Sequence, residues 1–195
     1  MPTPWRSLYL PVQTSHIPRL CPAGFFYGFV RRFMQTALDS AHSWFLDSMA
    51  QGLNGVLVVR LVDGIRGIER KFVEVGETKL GPYFPVQVEA VSRCAEVQFP
   101  NAIAFFTYNE SYDAPDPELK KDNGHFLFVA EASSFRRFVE ARTSVAQLHQ
   151  GPYQEFLLRC EDCIIHVLSS EAPVIDFLAE QPNLNVERTN TWSAN

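Results

Sequence analysis

Two cysteines with two residues between them are the first side chains whose types and spacing could do chemistry. The segment Cys160-Glu-Asp-Cys163 is a CxxC sequence, which serves redox enzymes where it follows a strand and begins a helix, because the helix N-terminus lowers a thiol pKa. Here it lies between apolar runs of strand character within residues 153–168. A zinc site needs about four ligands, and neither Cys21 nor Cys94 has a second cysteine at ligand spacing. We therefore predict a hairpin with the two acidic residues at its turn, and no metal site.

Asp63, Glu69 and Lys71 form a second pattern, in which an acid is followed after five residues by Glu-x-Lys. An Asp-Gly turn signal at residue 63 separates two segments of strand character, residues 55–62 and 65–75, and predicts a hairpin. In these three residues the chain resembles the metal-dependent nucleases of the PD-(D/E)xK class. The resemblance implies two carboxylates that hold Mg²⁺ and a lysine that helps to position or activate the attacking water. A solvated strand face with a Glu/Lys pair is the alternative.

Arg142 and His149 interrupt the apolar face of a predicted helix. A strand over residues 125–131 precedes an amphipathic helix over residues 133–149, which is capped by a serine and ended by Gly-Pro. An arginine on an apolar face must reach an edge of the sheet or pair with an anion, because an unpaired buried charge costs several kcal/mol. Arg142 and His149 therefore serve packing and pairing, or they form an anion-binding or partner site.

Aromatic and basic residues near the N-terminus form a candidate partner-binding surface. A proline-rich arm over residues 1–22 precedes a long predicted helix over residues 25–50, whose wide apolar face leaves two phenylalanines beside an Arg-Arg pair. This surface could contact another protein or the periphery of a membrane, and the alternative is that the arm packs on its own fold. Its residues are Trp5, Phe25, Phe29, Arg31 and Arg32.

The order of elements predicts an α+β fold with a mainly antiparallel, mixed sheet. One long N-terminal helix comes first, a central strand-helix-hairpin unit lies within residues 123–168, and a short last helix covers residues 173–181. We expect a single α+β domain over residues 23–181 between the arm and a polar tail, residues 182–195.

Composition limits the classes of function. The chain has 195 residues, of which 46% are apolar and 13% aromatic, with a formal net charge of −5. It can therefore form one large core, and the charge argues against a surface that coats nucleic acid. Prolines interrupt any signal peptide, no apolar run is long enough to cross a bilayer, and four cysteines suit reduced thiols, so we expect a cytoplasmic protein.

The sequence carries none of the short motifs of serine hydrolases, zincins, P-loop enzymes or dinucleotide-binding proteins. The first hypothesis is a cytoplasmic interaction protein of a bacterial kind, an inhibitor or immunity-type factor that docks on another protein and needs no cofactor. The alternative is a Mg²⁺-dependent nuclease or nucleotide-hydrolysing enzyme that uses Asp63, Glu69 and Lys71.

Overall fold

The computed structural model describes residues 36–182 and 184. No helix in this part of the chain is long and apolar enough to cross a membrane. Its strands and α-helices are, in chain order, β1 (Trp44–Gln51), β2 (Leu57–Asp63), β3 (Ile65–Arg66), β4 (Lys71–Val75), β5 (Thr78–Tyr83), β6 (Val86–Gln87), β7 (Cys94–Phe99), β8 (Ala102–Asn109), β9 (Lys120–Lys121), β10 (Leu127–Ala132), α1 (Ser134–Arg142), α2 (Val145–Leu148), β11 (Gln154–Arg159), β12 (Cys163–Ser169) and β13 (Val174–Leu178).

Two antiparallel sheets pack face to face. The first has the strand order β1-β2-β7-β13 and the second the order β8-β12-β11-β10-β9. Alternate residues of the central strands point into the space between the sheets, as the two-residue period of a strand requires. Phe99 and Phe156 meet there with ring centroids 5.8 Å apart. The result is a β-sandwich whose core includes Leu57, Val59, Leu61, Ala95, Val97, Phe99, Phe156, Leu158, Ile165 and Val167.

The second sheet is covered on its other face as well. Val139 of α1 and Val145 of α2 pack against Leu168 of β12. Because β12 has packed layers on both sides, each residue from Cys163 to Ser169 is buried. Such a strand gives a continuous apolar run with no alternation of apolar and polar residues.

The predicted α+β class with a long N-terminal helix is wrong, because the described chain is mostly antiparallel sheet with two short helices. Residues 25–35 of that helix lie outside the described residues. The remainder forms a 3-10 turn, Ala37–Ser40, followed by strand β1. Trp44 enters the core between the sheets, while Phe45 packs on the opposite face of the same strand. Because adjacent residues at the start of β1 are buried on opposite faces, that part of the strand shows no alternation and resembles a wide apolar helix face in sequence, which explains the error.

The Asp-Gly signal at residue 63 does not join two paired strands. β2 pairs with β1 and β7, whereas β3 pairs with β6 and β4 with β5. The Gly64 N–H donates to the Ser43 carbonyl at 3.0 Å, and a Cβ at Gly64 would lie 2.6 Å from Val86 Cγ1. Glycine therefore permits close packing here.

The predicted last helix over residues 173–181 is also wrong, because that segment forms β13, which pairs with β7.

The predicted boundaries of the arm and the tail cannot be compared with the fold. Residues 1–35, residue 183 and residues 185–195 lie outside the described residues. The division into an arm, one domain and a tail therefore stays a prediction.

Candidate functional site

β4 and β5 form a two-stranded ribbon that is separate from both large sheets. Each residue of the two strands is exposed, and among the described strands β4 and β5 pair with each other alone. The turn between them contains Gly76 at φ +58°, a backbone conformation that glycine adopts without strain. Within the described part of the chain, the ribbon therefore has solvent on both faces and no neighbouring strand at the outer edge of β4 or β5.

One face of the ribbon is apolar. Val73 lies opposite Leu80, and Tyr83 lies opposite Lys71. By the two-residue period Lys71, Val73 and Val75 of β4 share one face. Their cross-strand partners lie on the same side, and these are Thr78 opposite Val75, Leu80 opposite Val73 and, beyond a register shift, Tyr83 opposite Lys71. Single exposed apolar residues are ordinary, but a contiguous set on one face marks an interaction surface. We call this surface the ribbon face; its apolar side chains are exposed by 46% at Val73, 48% at Val75, 42% at Leu80 and 55% at Tyr83.

The charges around the ribbon are arranged asymmetrically. Lys71 is the charged residue of the ribbon face, whereas Glu74 and Lys79 point to the opposite side by strand period. At the start of the ribbon the guanidinium groups of Arg66 and Arg70 lie 4.0 Å and 5.0 Å from the centroid of the Phe84 ring. Two arginines therefore stack on Phe84 near the end of the ribbon, where the exposed Glu69 precedes Arg70.

The structure separates the residues of the predicted nuclease pattern. Asp63 is buried at the end of β2, and its Oδ2 atom accepts a hydrogen bond from Arg93 Nε at 2.8 Å and forms an ion pair with Arg93 Nη2, also at 2.8 Å. Glu69 and Lys71 are exposed, and Lys71 belongs to β4, which does not pair with β2. The carboxylate of Asp63 is thus engaged by an arginine. The Mg²⁺-dependent nuclease hypothesis stays a prediction, and no contact among the described residues favours it.

The two predicted anion-binding residues do not line one site. Arg142 is exposed at the end of α1. His149 is half-buried, its Nε2 atom has no hydrogen-bond partner, and its ring lies edge-on to Tyr153 at 5.6 Å. His149 borders a cavity of about 350 Å³ whose lining is mainly aliphatic, with Arg142 outside the lining. An anion at these residues stays a prediction.

The predicted N-terminal partner surface cannot be placed. All of its residues precede residue 36 and lie outside the described residues, so its role stays a prediction; they are Trp5, Phe25, Phe29, Arg31 and Arg32.

Sequence reasoning missed the ribbon, although a signal was present. Val73 and Val75 are separated by the charged Glu74, and Leu80 follows the Gly-Glu turn at the spacing expected for a hairpin partner. The prediction took residues 65–75 as the return strand of an earlier hairpin and residues 76–85 as a turn-rich loop. To predict the observed pairing from the sequence, one would have to place the hairpin turn at Gly76 and not at the Asp-Gly sequence that begins at residue 63.

Sequence reasoning also missed a buried polar cluster on the helix-covered face of the second sheet. Glu155 is fully buried, and its Oε1 atom lies 2.8 Å from His166 Nδ1. The Ser133 hydroxyl donates to Glu155 Oε2 and accepts the Arg136 N–H at 2.9 Å. Because Ser133 caps α1 and is itself buried, its oxygen is not available to a substrate. The cluster therefore fixes α1 to the sheet and is a structural feature.

Comparisons of this chain with protein-family models, with curated proteins and with solved structures give no match. Function is therefore inferred from the described residues alone.

Proposed function

We propose that this protein is a non-catalytic interaction protein that docks the ribbon face on another protein, in the manner of an inhibitor or immunity factor. The observation that carries this proposal is the contiguous apolar face of Val73, Val75, Leu80 and Tyr83, exposed on a ribbon whose strands pair with each other alone among the described strands. Exposed apolar area of this kind favours association, because burial of apolar surface contributes about 25 cal/mol per Å².

The charges on the ribbon define the chemistry of the partner. Lys71 borders the apolar residues, and the acidic Glu74 points away from them by strand period. A complementary partner therefore presents an apolar patch with carboxylates at its rim. The free edges of β4 and β5 also allow an extended segment of the partner to add a strand to the ribbon.

The proposed compartment is the cytoplasm. The three cysteines of the described chain, Cys94, Cys160 and Cys163, are free thiols and are buried. Free thiols are typical of proteins from a reducing compartment, in which structural disulfides are rare.

The test compares wild-type protein with two double variants as immobilised baits in a lysate of the source organism. Val73→Ser with Leu80→Ser alters the ribbon face. Val174→Ser with Leu53→Ser removes two aliphatic side chains that are exposed outside the ribbon, by 50% and 87%. Circular dichroism and thermal unfolding check that the three baits are folded.

The proposal predicts a protein that is bound in stoichiometric amount by the wild-type protein and by the control, and that is lost from the ribbon variant. The identified partner, once purified, should bind less tightly to a Lys71→Glu variant. If the three baits retain the same proteins, the ribbon is not a docking surface. A wild-type dimer by light scattering that the ribbon variant lacks would identify a second copy of this chain as the occupant and overturn the proposal of a different protein.

A further inference from the structure

The turn between β11 and β12 brings two thiols together. The Cys160 N–H donates to the Cys163 carbonyl at 2.9 Å, which closes a two-residue turn. Both cysteines belong to the core between the sheets, where they are exposed by 6% and 7%. Their Sγ atoms lie within 4.8 Å of each other. Two sulfur atoms therefore lie side by side at one end of the sandwich core.

Asp162 adds an oxygen donor to this pair. Its carboxylate and the Sγ atoms of Cys160 and Cys163 all lie within 4.8 Å of one another. This spacing suits ligands of one ion, since zinc binds sulfur at about 2.3 Å and carboxylate oxygen at about 2.0 to 2.2 Å. Sequence reasoning rejected a metal here because it looked for a second pair of cysteines and did not consider Asp162 as the third donor.

Contacts with the opposite sheet hold the turn in place. Asp162 Oδ1 accepts the Leu46 N–H of β1 at 3.0 Å, and the Glu161 N–H donates to the Trp44 carbonyl of the same strand at 2.8 Å. Such hydrogen bonds orient ligands before an ion arrives, as the outer shell does in known metal sites. An ion at this turn would be coordinated by residues that are tied to both sheets.

We propose that Cys160, Asp162 and Cys163 bind a thiophilic divalent cation of the zinc type. Two thiolates select zinc-like ions over Mg²⁺ and Ca²⁺, which prefer oxygen ligands. Each thiol gives its proton to solvent when the ion binds. A cavity of about 380 Å³ borders Cys160 and Glu161, so the site is approached from the Cys160 side, where a water molecule could serve as fourth ligand.

The carboxylates of Asp162 and Glu161 belong to the same turn as the two thiols, and a divalent ion would offset the negative charge of its ligands. The lining of the cavity is mixed in charge, because Glu110 and Glu161 lie there together with Arg159.

The test is titration of reduced full-length protein with Co²⁺, whose thiolate complexes show a charge-transfer band in the near ultraviolet and d–d bands in the visible range. The background variant Cys21→Ser with Cys94→Ser leaves Cys160 and Cys163 as the only thiols. It should bind one Co²⁺ per chain with both sets of bands, and added Zn²⁺ should displace the Co²⁺ and protect both thiols from alkylation.

Substitutions of the proposed metal ligands test whether these residues bind the Co²⁺ ion. Asp162→Asn keeps an oxygen that accepts the Leu46 N–H, and should weaken Co²⁺ binding by at least about tenfold. Cys163→Ser should remove the two-thiolate spectrum. The proposal is overturned if the reduced background variant takes up no Co²⁺, if the bands survive in Cys163→Ser, or if Asp162→Asn binds as tightly as the background. These readouts are spectroscopic and do not depend on any partner of the ribbon.

Discussion

Asp116 connects the segment before β10 to the first turn of α1. Its carboxylate accepts the Ser134 N–H and the Ser134 hydroxyl, each at 2.8 Å, and the Glu118 N–H at 2.9 Å. Partial burial alone would raise the pKa of Asp116, but these hydrogen bonds hold it below its ordinary value. The ionised form therefore stabilises the fold, and that contribution is lost as the pH falls through the lowered pKa.

Asp116→Asn should lower the free energy of unfolding by about 1 to 2 kcal/mol at neutral pH, because the amide cannot accept all of these hydrogen bonds. Urea unfolding of both proteins over a series of pH values is the measurement. The difference between them should shrink as the pH falls below about 4, where an ordinary aspartate becomes protonated. A difference that stays constant down to the lowest pH at which the protein folds would contradict this role.

Glu155 is the polar centre of the contact between α1 and the second sheet. Its replacement by alanine leaves the Ser133 hydroxyl and the His166 ring without their partner inside the fold. Glu155→Ala should therefore lower the free energy of unfolding by about 3 kcal/mol. Glu77→Ala, in the exposed turn of the ribbon, is the control and should change it by less than about 0.5 kcal/mol. Equal effects would show that the buried cluster contributes no stability.

Among the elements, the ribbon should be dispensable for stability. Val73→Ser with Leu80→Ser alters half-exposed side chains and should change the free energy of unfolding by less than about 1 kcal/mol. Leu158→Ala, a fully buried position, should lower it by about 3 kcal/mol. Urea unfolding compares the two variants with the wild-type protein. A ribbon variant as unstable as the core variant would mean that the ribbon face is packed inside the fold.

Local signals in the sequence were sufficient for the elements between residues 125 and 168. The Ser133 side chain accepts the Arg136 N–H at 2.9 Å, as a cap should. The single helix predicted over residues 133–149 is divided, because Thr143 ends α1 in extended backbone and its hydroxyl donates to the Val139 carbonyl. The prediction of a long N-terminal helix failed for a different reason, since Trp44 and Phe45 are buried on opposite faces of β1 and the start of that strand therefore shows no alternation.

At the scale of the whole molecule, stability should depend on the contact between the two sheets. Phe156 is buried against Phe99 of the opposite sheet. Phe156→Ala should lower the free energy of unfolding by about 3 to 5 kcal/mol. Phe72→Ala, on the ribbon and 52% exposed, is the matched control and should change it by less than about 1 kcal/mol. Similar losses in both variants would contradict the sandwich core.

The neighbours of the candidate functional residues could not be predicted from the sequence, for a physical reason. A strand's partner is chosen by contacts between residues far apart in the chain, which a local pattern does not contain. Asp63, Glu69 and Lys71 looked like one hairpin, yet Asp63 pairs with Arg93 and Lys71 belongs to the ribbon. The sequence therefore shows which side chains could do chemistry. Which of them lie next to each other depends on the pairing of the strands.

Site-specific photo-cross-linking tests the docking proposal most directly. A benzophenone amino acid replaces Tyr83 on the ribbon face or, as control, Tyr112, which is 82% exposed outside the ribbon. Irradiation in cells of the source organism should give one adduct of defined mass from position 83 and none from position 112. Adducts of the same kind and amount from both positions, or none from position 83 while the protein is folded and abundant, would contradict the proposal that the ribbon face binds a partner protein.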